Sequence, residues 1–176
     1  MDDTSEVLLV ARRFTIVRQR QTAADGSVHT RETVQHPGAV TILPLFEDGG
    51  VCLIRNLRIA VGRTLVELPA GTLEPGEDPD VTARRELSEE TGYRANSLTK
   101  LHEFFMSPGI LNERMHLYLA TGLTAGEAAL EAGEEIETLR VPWAEAMRMA
   151  VEGEIQDAKT LVALLLYDRQ RQSSTQ

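Results

Sequence analysis

Basic residues are few in this 176-residue chain relative to acidic ones. The sequence has 18 lysines and arginines against 27 aspartates and glutamates, which gives a formal net charge of −9. This balance argues against a basic groove that follows a nucleic-acid backbone and against a basic patch for an anionic membrane. Two interpretations of the acidity remain, namely solubility and a cluster of carboxylates that holds divalent cations.

Cysteine and long apolar runs are also scarce. The single cysteine, Cys52, excludes an internal disulfide and lies in the apolar run 51–54, so we expect a buried structural thiol. No apolar run approaches the ~20 residues that span a bilayer. Residues 1–6 are acidic and lack the basic start and apolar middle of a secretory signal. These absences predict a cytoplasmic protein without a membrane partner.

The N-terminal part has the pattern of a β-hairpin. Residues 12–20 and 27–36 are rich in β-branched side chains and flank a turn at 24–26. We therefore expect a small β-subdomain over residues 1–36 in front of a main domain over residues 37–172. Residues 173–176 are expected to be a disordered tail.

Strands and helices are mixed in the main domain. The predicted strands are 39–46, 51–58, 65–69, 98–106, 115–121 and 136–141, and the predicted helices are 81–91, 142–152 and 158–170. Asp78 as N-cap, Pro79 at the first helical position and Gly92 as C-terminal stop frame the first helix. The last helix is expected to bury a face with Leu161, Leu164 and Leu165. Because these elements do not alternate as βαβ units, we predict an α+β fold with a mixed sheet.

Three glutamates of the first helix carry most of the chemical information. Glu86, Glu89 and Glu90 stand at i, i+3 and i+4, so they share an arc of about 100°. Like charges at this spacing destabilise an isolated helix by roughly 0.2–0.5 kcal/mol, and Arg85 offsets part of this. Oxygen ligands on one helix face suit Mg²⁺ or Mn²⁺, which commonly partner substrate phosphates. The alternative is a solvated acidic face.

The stretch 71–93 resembles the Nudix box, Gly-x5-Glu-x7-Arg-Glu-U-x-Glu-Glu-x-Gly-U, where U is apolar or aromatic. Its fixed positions are filled by Gly71, Glu77, Arg85, Glu86, Leu87, Glu89, Glu90, Gly92 and Tyr93. The resemblance implies an α/β/α sandwich and hydrolysis of a nucleoside diphosphate linked to another moiety. It also implies a cofactor of two or three Mg²⁺ ions, or Mn²⁺ in their place.

The resemblance also implies roles for the box residues. Glu86 and Glu90 are expected to hold the metals, and Glu89 and the carbonyl of Ala70 are expected to assist them. Arg85, together with Glu77, is expected to orient the site.

The flanks of the box resemble ADP-ribose pyrophosphatases. The segment 67–71, Glu-Leu-Pro-Ala-Gly, precedes the box, and Arg58 ends a similar upstream motif. The resemblance implies hydrolysis of ADP-ribose to AMP and ribose 5-phosphate, with Arg58 on the diphosphate. The further substrate contacts that it implies are Glu67, Pro108, Gly109 and Glu113. The simpler alternatives are a surface charge for Arg58, a plain strand residue for Glu67, a turn for Pro108 and Gly109, and a solvated strand end for Glu113.

The same resemblance implies a homodimer. In the family the N-terminal β-subdomain is exchanged between subunits and helps to grip adenine. Phe14 itself is expected to lie in the core rather than to stack on a base.

The catalytic base is where the chain departs from the family pattern. Similar enzymes often carry Glu-x-Glu-x-Ile before the penultimate strand. With Ile136 as anchor, Glu134 matches one glutamate but Ala132 replaces the other. The candidates for the base are Glu134, which is also a candidate metal ligand, the shifted Glu131, and Glu89. A solvated acidic loop is the alternative.

Two other functions stay open at this point. The first is hydrolysis of GDP-mannose or another nucleoside diphosphate-sugar, whose enzymes share the motif before the box. The second is a non-catalytic module that senses a nucleotide. All of these interpretations have a small-molecule nucleoside diphosphate as partner and no nucleic acid.

Overall fold

The described part of the chain, residues 5–130 and 135–173 of a computed structural model, contains three β-sheets and three helices. In chain order the elements are β1 (Glu6–Val10), β2 (Thr15–Thr22), β3 (Val28–Gln35), β4 (Ala39–Pro44), β5 (Val51–Arg58), β6 (Arg63–Glu67), β7 (Ala70–Thr72), α1 (Pro79–Thr91), β8 (Tyr93–Phe105), β9 (Arg114–Ala125), β10 (Ile136–Val141), α2 (Trp143–Val151) and α3 (Ala158–Ser173). None of the helices described is long and apolar enough to cross a membrane.

The N-terminal sheet has the order β1-β2-β3 and is antiparallel throughout. The pairing of β2 with β3 from Thr15↔Gln35 to Thr22↔Val28 confirms the predicted hairpin. Strand β1 was not predicted, and its apolar side chains are exposed. The division into domains at residue 36 stays a prediction.

The predicted mixed sheet is confirmed by the order β7-β4-β9-β8. Strands β4 and β9 pair in parallel, and the other pairs are antiparallel. A second sheet, β10-β5-β6, is antiparallel. Strand β7 lies between the predicted strand 65–69 and the predicted helix 81–91, where no strand was predicted, and it forms by antiparallel pairing with β4.

Both faces of the four-stranded sheet are covered. Ile42 and Tyr118 belong to a buried cluster with Leu87 of α1. Leu43 of β4 belongs to the other cluster, which includes Leu164 of α3 and residues of β5 and α2. Alternate residues of β4 thus serve opposite layers, as a buried strand requires. The α/β/α arrangement predicted from the sequence is confirmed.

Helix α1 has the ends that the sequence predicts. The Asp78 carboxylate accepts a 2.8 Å hydrogen bond from the Asp80 backbone N–H, and Pro79 opens the helix. Gly92 adopts a φ of +74°, and its N–H donates to the carbonyl of Ser88. Glycine reaches this left-handed conformation at little cost. The caps hold the helix that carries the three box glutamates.

Two expectations about burial have different outcomes. Cys52 is fully buried, as predicted, and burial raises the pKa of its thiol to about 12. Leu165 is 52% exposed, so its place on the buried face of α3 was wrong. The buried face of α3 follows Thr160, Ala163 and Leu164 at i, i+3 and i+4, and Leu165 lies about 100° further round the helix.

Candidate active site

A cleft of about 620 Å³ opens where the N-terminal sheet, β5, β7, α1 and the start of α3 meet. It brings together six of the residues singled out in the sequence, which are Arg58, Ala70, Arg85, Glu86, Glu90 and Glu113. Glu67, Glu89, Pro108 and Gly109 are not among the described residues that line it.

Two box glutamates lie against the short strand β7. The Ala70 backbone N–H donates a 2.9 Å hydrogen bond to Oε2 of Glu90, and Glu90 is buried. The carboxyl group of Glu86 lies so close to Gly71 that a Cβ at that position would sit 1.9 Å from its Cδ and Oε1. Only glycine leaves room for this approach, so the first box glycine places Glu86 by its lack of a side chain.

Arg85 binds the other box carboxylates. Its Nη1 donates to Glu86 at 2.8 Å and to Glu89 at 2.9 Å, and its Nη2 lies 3.3 Å from Glu77. Burial acts to lower the pKa of Arg85, but the hydrogen bond to Glu77 and the neighbouring carboxylates raise it above its ordinary value. The Arg85 hydrogen bond lowers the pKa of Glu77. Arg85 is therefore a fixed cation that orients three glutamates.

The arrangement of the box fits a divalent metal at two carboxylates. Within residues 5–130 and 135–173, no three His, Cys, Asp or Glu side chains converge as a ready-made metal site. Arg85 bridges Glu86 and Glu89 instead. Glu86 and Glu90 nevertheless meet at Ala70 and Gly71 on the cleft wall, and their carboxylates are the hard oxygen donors that Mg²⁺ prefers. Glu89 is paired with Arg85 and is not among the described residues that line the cleft.

Arg58, which also lines the cleft, is held by Glu67. Nε and Nη2 of Arg58 donate to the two carboxylate oxygens of Glu67 at 2.8 and 2.6 Å. This is the bidentate geometry that makes guanidinium–carboxylate pairs specific. Glu67 is only 1% exposed and lies behind Arg58. Of these two predicted substrate contacts, the structure brings only Arg58 to the cleft.

Sequence reasoning missed two residues of this cluster. Lys159 donates to Glu67 at 2.5 Å and lies 2.9 Å from Asp157, and both Lys159 and Asp157 line the cleft. Lys159 falls at the start of the predicted helix 158–170, 92 positions away from Glu67, and Asp157 immediately precedes that helix. The sequence offered no signal for this pairing, because a lysine near a helix start is usually exposed and the burial of Lys159 is seen only in the structure.

Burial and pairing oppose each other at Glu67. Burial acts to raise the pKa of its carboxyl group, but the Arg58 hydrogen bond and the charge of Lys159 outweigh it and lower the pKa. Glu67 is therefore ionised at neutral pH.

The loop that carries three of the predicted substrate contacts, Pro108, Gly109 and Glu113, is only partly at the cleft. Pro108 and Gly109 lie in an exposed turn closed by the Ser107 carbonyl, which accepts from the Ile110 N–H. Glu113 lines the cleft, 3.7 Å from Nδ1 of His36. Asn112 fastens this loop to the N-terminal sheet, because its Nδ2 donates to Gln35 at 2.6 Å.

The turn between β1 and β2 also reaches the cleft. Arg12, Arg13 and Phe14 line it, and the Ala11 N–H closes the turn on the carbonyl of Phe14. Phe14 is 38% exposed, so its expected place in the core was wrong. A tight turn at the sheet end holds it away from the interior.

The loop candidates for the catalytic base lie outside the described residues. These are Glu131 and Glu134, and the departure from the family pattern at Ala132 lies there too.

Comparison with known proteins gives a consistent picture. A family model described as the NUDIX domain matches residues 34–164. The chain is 42% identical over 142 residues to an ADP-ribose pyrophosphatase of Bacillus subtilis (strain 168), covering 80% of this chain and 77% of that protein. It is 38% identical over 172 residues to a GDP-mannose pyrophosphatase of Cronobacter sakazakii (strain ATCC BAA-894), covering 91% and 88%. A crystal structure of an ADP compounds hydrolase superposes with a TM-score of 0.84 at 25% identity, covering 99% of this chain and 96% of the other.

Proposed function

The chain belongs to the NUDIX family, and from that premise we propose that it hydrolyses ADP-ribose to AMP and ribose 5-phosphate in the presence of Mg²⁺. It is an enzyme that acts on a small nucleoside diphosphate compound. One observation carries the choice of reaction. Glu86 and Glu90 at Ala70–Gly71 share a cleft with Arg58, so carboxylates for a metal and a cation for a diphosphate line the same space.

Holding the metal is the first task of the cleft residues. In this proposal Glu86, Glu90 and the carbonyl of Ala70 hold the cations, with Glu89 and Glu134 as further ligands. Bound Mg²⁺ would neutralise the diphosphate and favour deprotonation of the attacking water. Two or three ions are part of the proposal, and Mn²⁺ is the alternative metal.

Positioning is the second task. Arg58 binds the diphosphate through the N–H groups that Glu67 leaves free, and Arg85 keeps Glu86 in place through its 2.8 Å contact. Such fixed groups stabilise developing charge without reorganising during the reaction. Glu67, Glu113, Pro108 and Gly109 remain proposed parts of the substrate site. Of these four, Glu113 is the one that lines the cleft.

A base must accept the proton of the attacking water. Glu134, Glu131 and Glu89 are the proposed candidates. The ion pair between Glu89 and Arg85 counts against Glu89, because that carboxylate is already engaged by the guanidinium. Each of the three glutamates is replaced in turn by glutamine, and kcat is measured with ADP-ribose. The replacement that causes the largest loss of kcat identifies the base.

The N-terminal sheet is proposed to serve a homodimer. The exposed apolar strand β1 offers a surface for a second copy of the chain, and exchange of residues 1–36 is the proposed way in which this sheet would help to grip adenine. Sedimentation velocity at micromolar concentration distinguishes the dimer from a monomer. A cytoplasmic location is likewise proposed.

GDP-mannose is the second candidate substrate. The favouring observation is the 38% identity to the Cronobacter GDP-mannose pyrophosphatase, which extends over 91% of this chain. A nucleotide-sensing role without catalysis has less support, because every fixed position of the box is filled.

A substrate panel tests the proposal. The purified chain is given ADP-ribose, GDP-mannose, ADP-glucose, NADH or CoA with Mg²⁺, and phosphatase-coupled phosphate release is measured with and without EDTA. We expect ADP-ribose to give the highest kcat/KM and EDTA to abolish turnover. A preference for GDP-mannose would replace the substrate, and no turnover of any compound would favour the sensor.

A further inference from the structure

Lys159 is a buried lysine that the proposed reaction has not used. Its side chain is 8% exposed, and two carboxylates surround its Nζ, Glu67 at 2.5 Å and Asp157 at 2.9 Å. An ammonium group out of water is costly unless paired, so these contacts fix it in place. Because it also borders the cleft, its charge acts close to the substrate.

Glu67 is shared between two cations. Its Oε2 accepts from both Nη2 of Arg58 and Nζ of Lys159, at 2.6 and 2.5 Å. Glu67 has almost no contact with water, whereas the Arg58 side chain is 38% exposed and borders the cleft. If Arg58 were the only partner of Glu67, the pair would be neutral. With Lys159 on the other side, Glu67 alone no longer cancels the positive charge of Arg58.

Asp157 does not cancel this excess completely. Its Oδ2 accepts hydrogen bonds from the backbone N–H and the Oγ1 of Thr160, at 3.0 and 2.5 Å. Its Oδ1 lies 2.9 Å from Nζ of Lys159. The charge of this carboxylate is therefore shared between Lys159 and the start of α3.

We propose that Lys159 is a positioning residue for the substrate diphosphate. Lys159 offsets the negative charge of Glu67, so that Glu67 orients Arg58 without cancelling the positive charge of Arg58. This role rests on the proposed function, because the anion that Arg58 meets is the diphosphate of the substrate. It predicts an effect on substrate affinity and little effect on the chemical step, since Lys159 pairs with Glu67 and Asp157, which are not box residues.

The test compares Lys159→Met, Lys159→Arg, Glu67→Gln and the double variant Lys159→Met/Glu67→Gln. The control is Leu164→Ala, which removes a fully buried side chain from the same helix without changing any charge. KM and kcat are measured with ADP-ribose and Mg²⁺, and Tm is measured for every variant. Calorimetry measures the affinity for inorganic pyrophosphate in the presence of EDTA. This affinity reports the contribution of the protein's own cationic side chains, without turnover and without bound metal.

Lys159→Met should raise KM about tenfold, the factor expected for one lost charged contact, with kcat within about twofold. Pyrophosphate binding should weaken in parallel, and Lys159→Arg should restore most of the affinity. The double variant should have a lower KM than Lys159→Met, because removing the Glu67 charge returns the charge of Arg58. Leu164→Ala should lower Tm and leave KM unchanged.

The proposal is overturned if Lys159→Met lowers Tm as Leu164→Ala does and leaves KM and pyrophosphate binding unchanged. It is also overturned if the double variant binds no better than Lys159→Met. If Lys159→Met fails to fold, two comparisons of KM still test the proposal. One compares Lys159→Arg with the wild type, and the other compares the double variant with Glu67→Gln. If the wild-type chain prefers another nucleoside diphosphate-sugar, the proposed substrate fails, and the same comparison with that compound tests Lys159 separately.

Discussion

The two walls of the cleft balance charge in opposite ways. On the box wall, four glutamates accompany a single guanidinium, that of Arg85. On the other wall, Arg58 and Lys159 face Glu67 and Asp157, two cations against two anions. The first wall is left with an excess of carboxylate oxygens. The second, the balanced wall, pairs its charges within the fold, except for the part of the Arg58 charge that is proposed to meet the substrate. The difference fits the proposed roles, in which the box wall takes up metal cations and the balanced wall binds the diphosphate.

The largest expected effect comes from breaking the balanced wall. Glu67→Gln leaves Arg58 and Lys159 without their shared anion, and breaking a buried pair costs about 3–5 kcal/mol of unfolding free energy. Urea denaturation measures the loss. The control is Glu137→Gln, which breaks an exposed pair with Arg55 and should cost less than about 1 kcal/mol. Equal losses of unfolding free energy in both variants would show that the buried cluster contributes no more to stability than an exposed ion pair does.

The next effect concerns the wall with excess charge. Glu90→Gln should lower kcat by about 10²–10³-fold, as expected when one group that stabilises the transition state is lost. It should also weaken Mg²⁺ binding measured by calorimetry. Stability should change little, because the amide still accepts the hydrogen bond from Ala70. Glu154→Gln, at an exposed position near α2, is the control. Full activity and unchanged Mg²⁺ dependence in Glu90→Gln would remove this residue from the metal site.

A smaller effect is expected from the glycine that admits Glu86. In Gly71→Ala the new Cβ meets the Glu86 carboxyl group at 1.9 Å and must displace it. A shift of about 1 Å in a catalytic group can cost up to about 10²-fold in rate. We expect a loss of 10- to 100-fold in kcat at unchanged KM. If the alanine acts through Glu86, it should have less than about a twofold further effect in a Glu86→Gln background. A full additional loss there would point to another cause.

The smallest effect is a dependence of stability on pH. The pKa of Glu67 is lowered in the folded state, so its ionisation stabilises the fold above the unfolded value of about 4.3. That contribution disappears as pH falls through the lowered pKa. Thermal unfolding between pH 6 and 3 should show a smaller acid-induced fall of Tm in Glu67→Gln than in the wild type. An equal fall of Tm with pH in the two proteins would mean that Glu67 has the same pKa in the folded and unfolded states.

The box wall could be predicted from the sequence, and the balanced wall could not. Glu86, Glu90 and the caps of their helix lie within a short segment, where helical spacing alone places side chains on one face. Lys159 and Glu67 meet only because α3 packs beside β6, 92 positions later in the chain. Local periodicity contains no information about such a contact, and a lysine near a helix start is usually exposed.

Misjudged burial has a similar origin. Leu165 was placed inside because leucine is apolar, but the packing of α3 covers the stripe that contains Thr160, Ala163 and Leu164 and leaves Leu165 exposed. Strand β1 was missed, since an exposed apolar strand gives no alternating pattern. Phe14 lies at the cleft because a turn intervenes, and this depends on the pairing of β1 with β2.

The hydrogen bond between Thr160 and Leu68 has a consequence for how the enzyme matures on the ribosome. The Leu68 N–H donates to Oγ1 of Thr160 at 2.8 Å, two residues before Ala70 meets Glu90. A growing chain that ends before residue 157 already contains every box residue, yet Leu68 and Glu67 still wait for their partners in α3. Catalytic competence is therefore expected to arrive late in synthesis, when the final helix leaves the exit tunnel and docks.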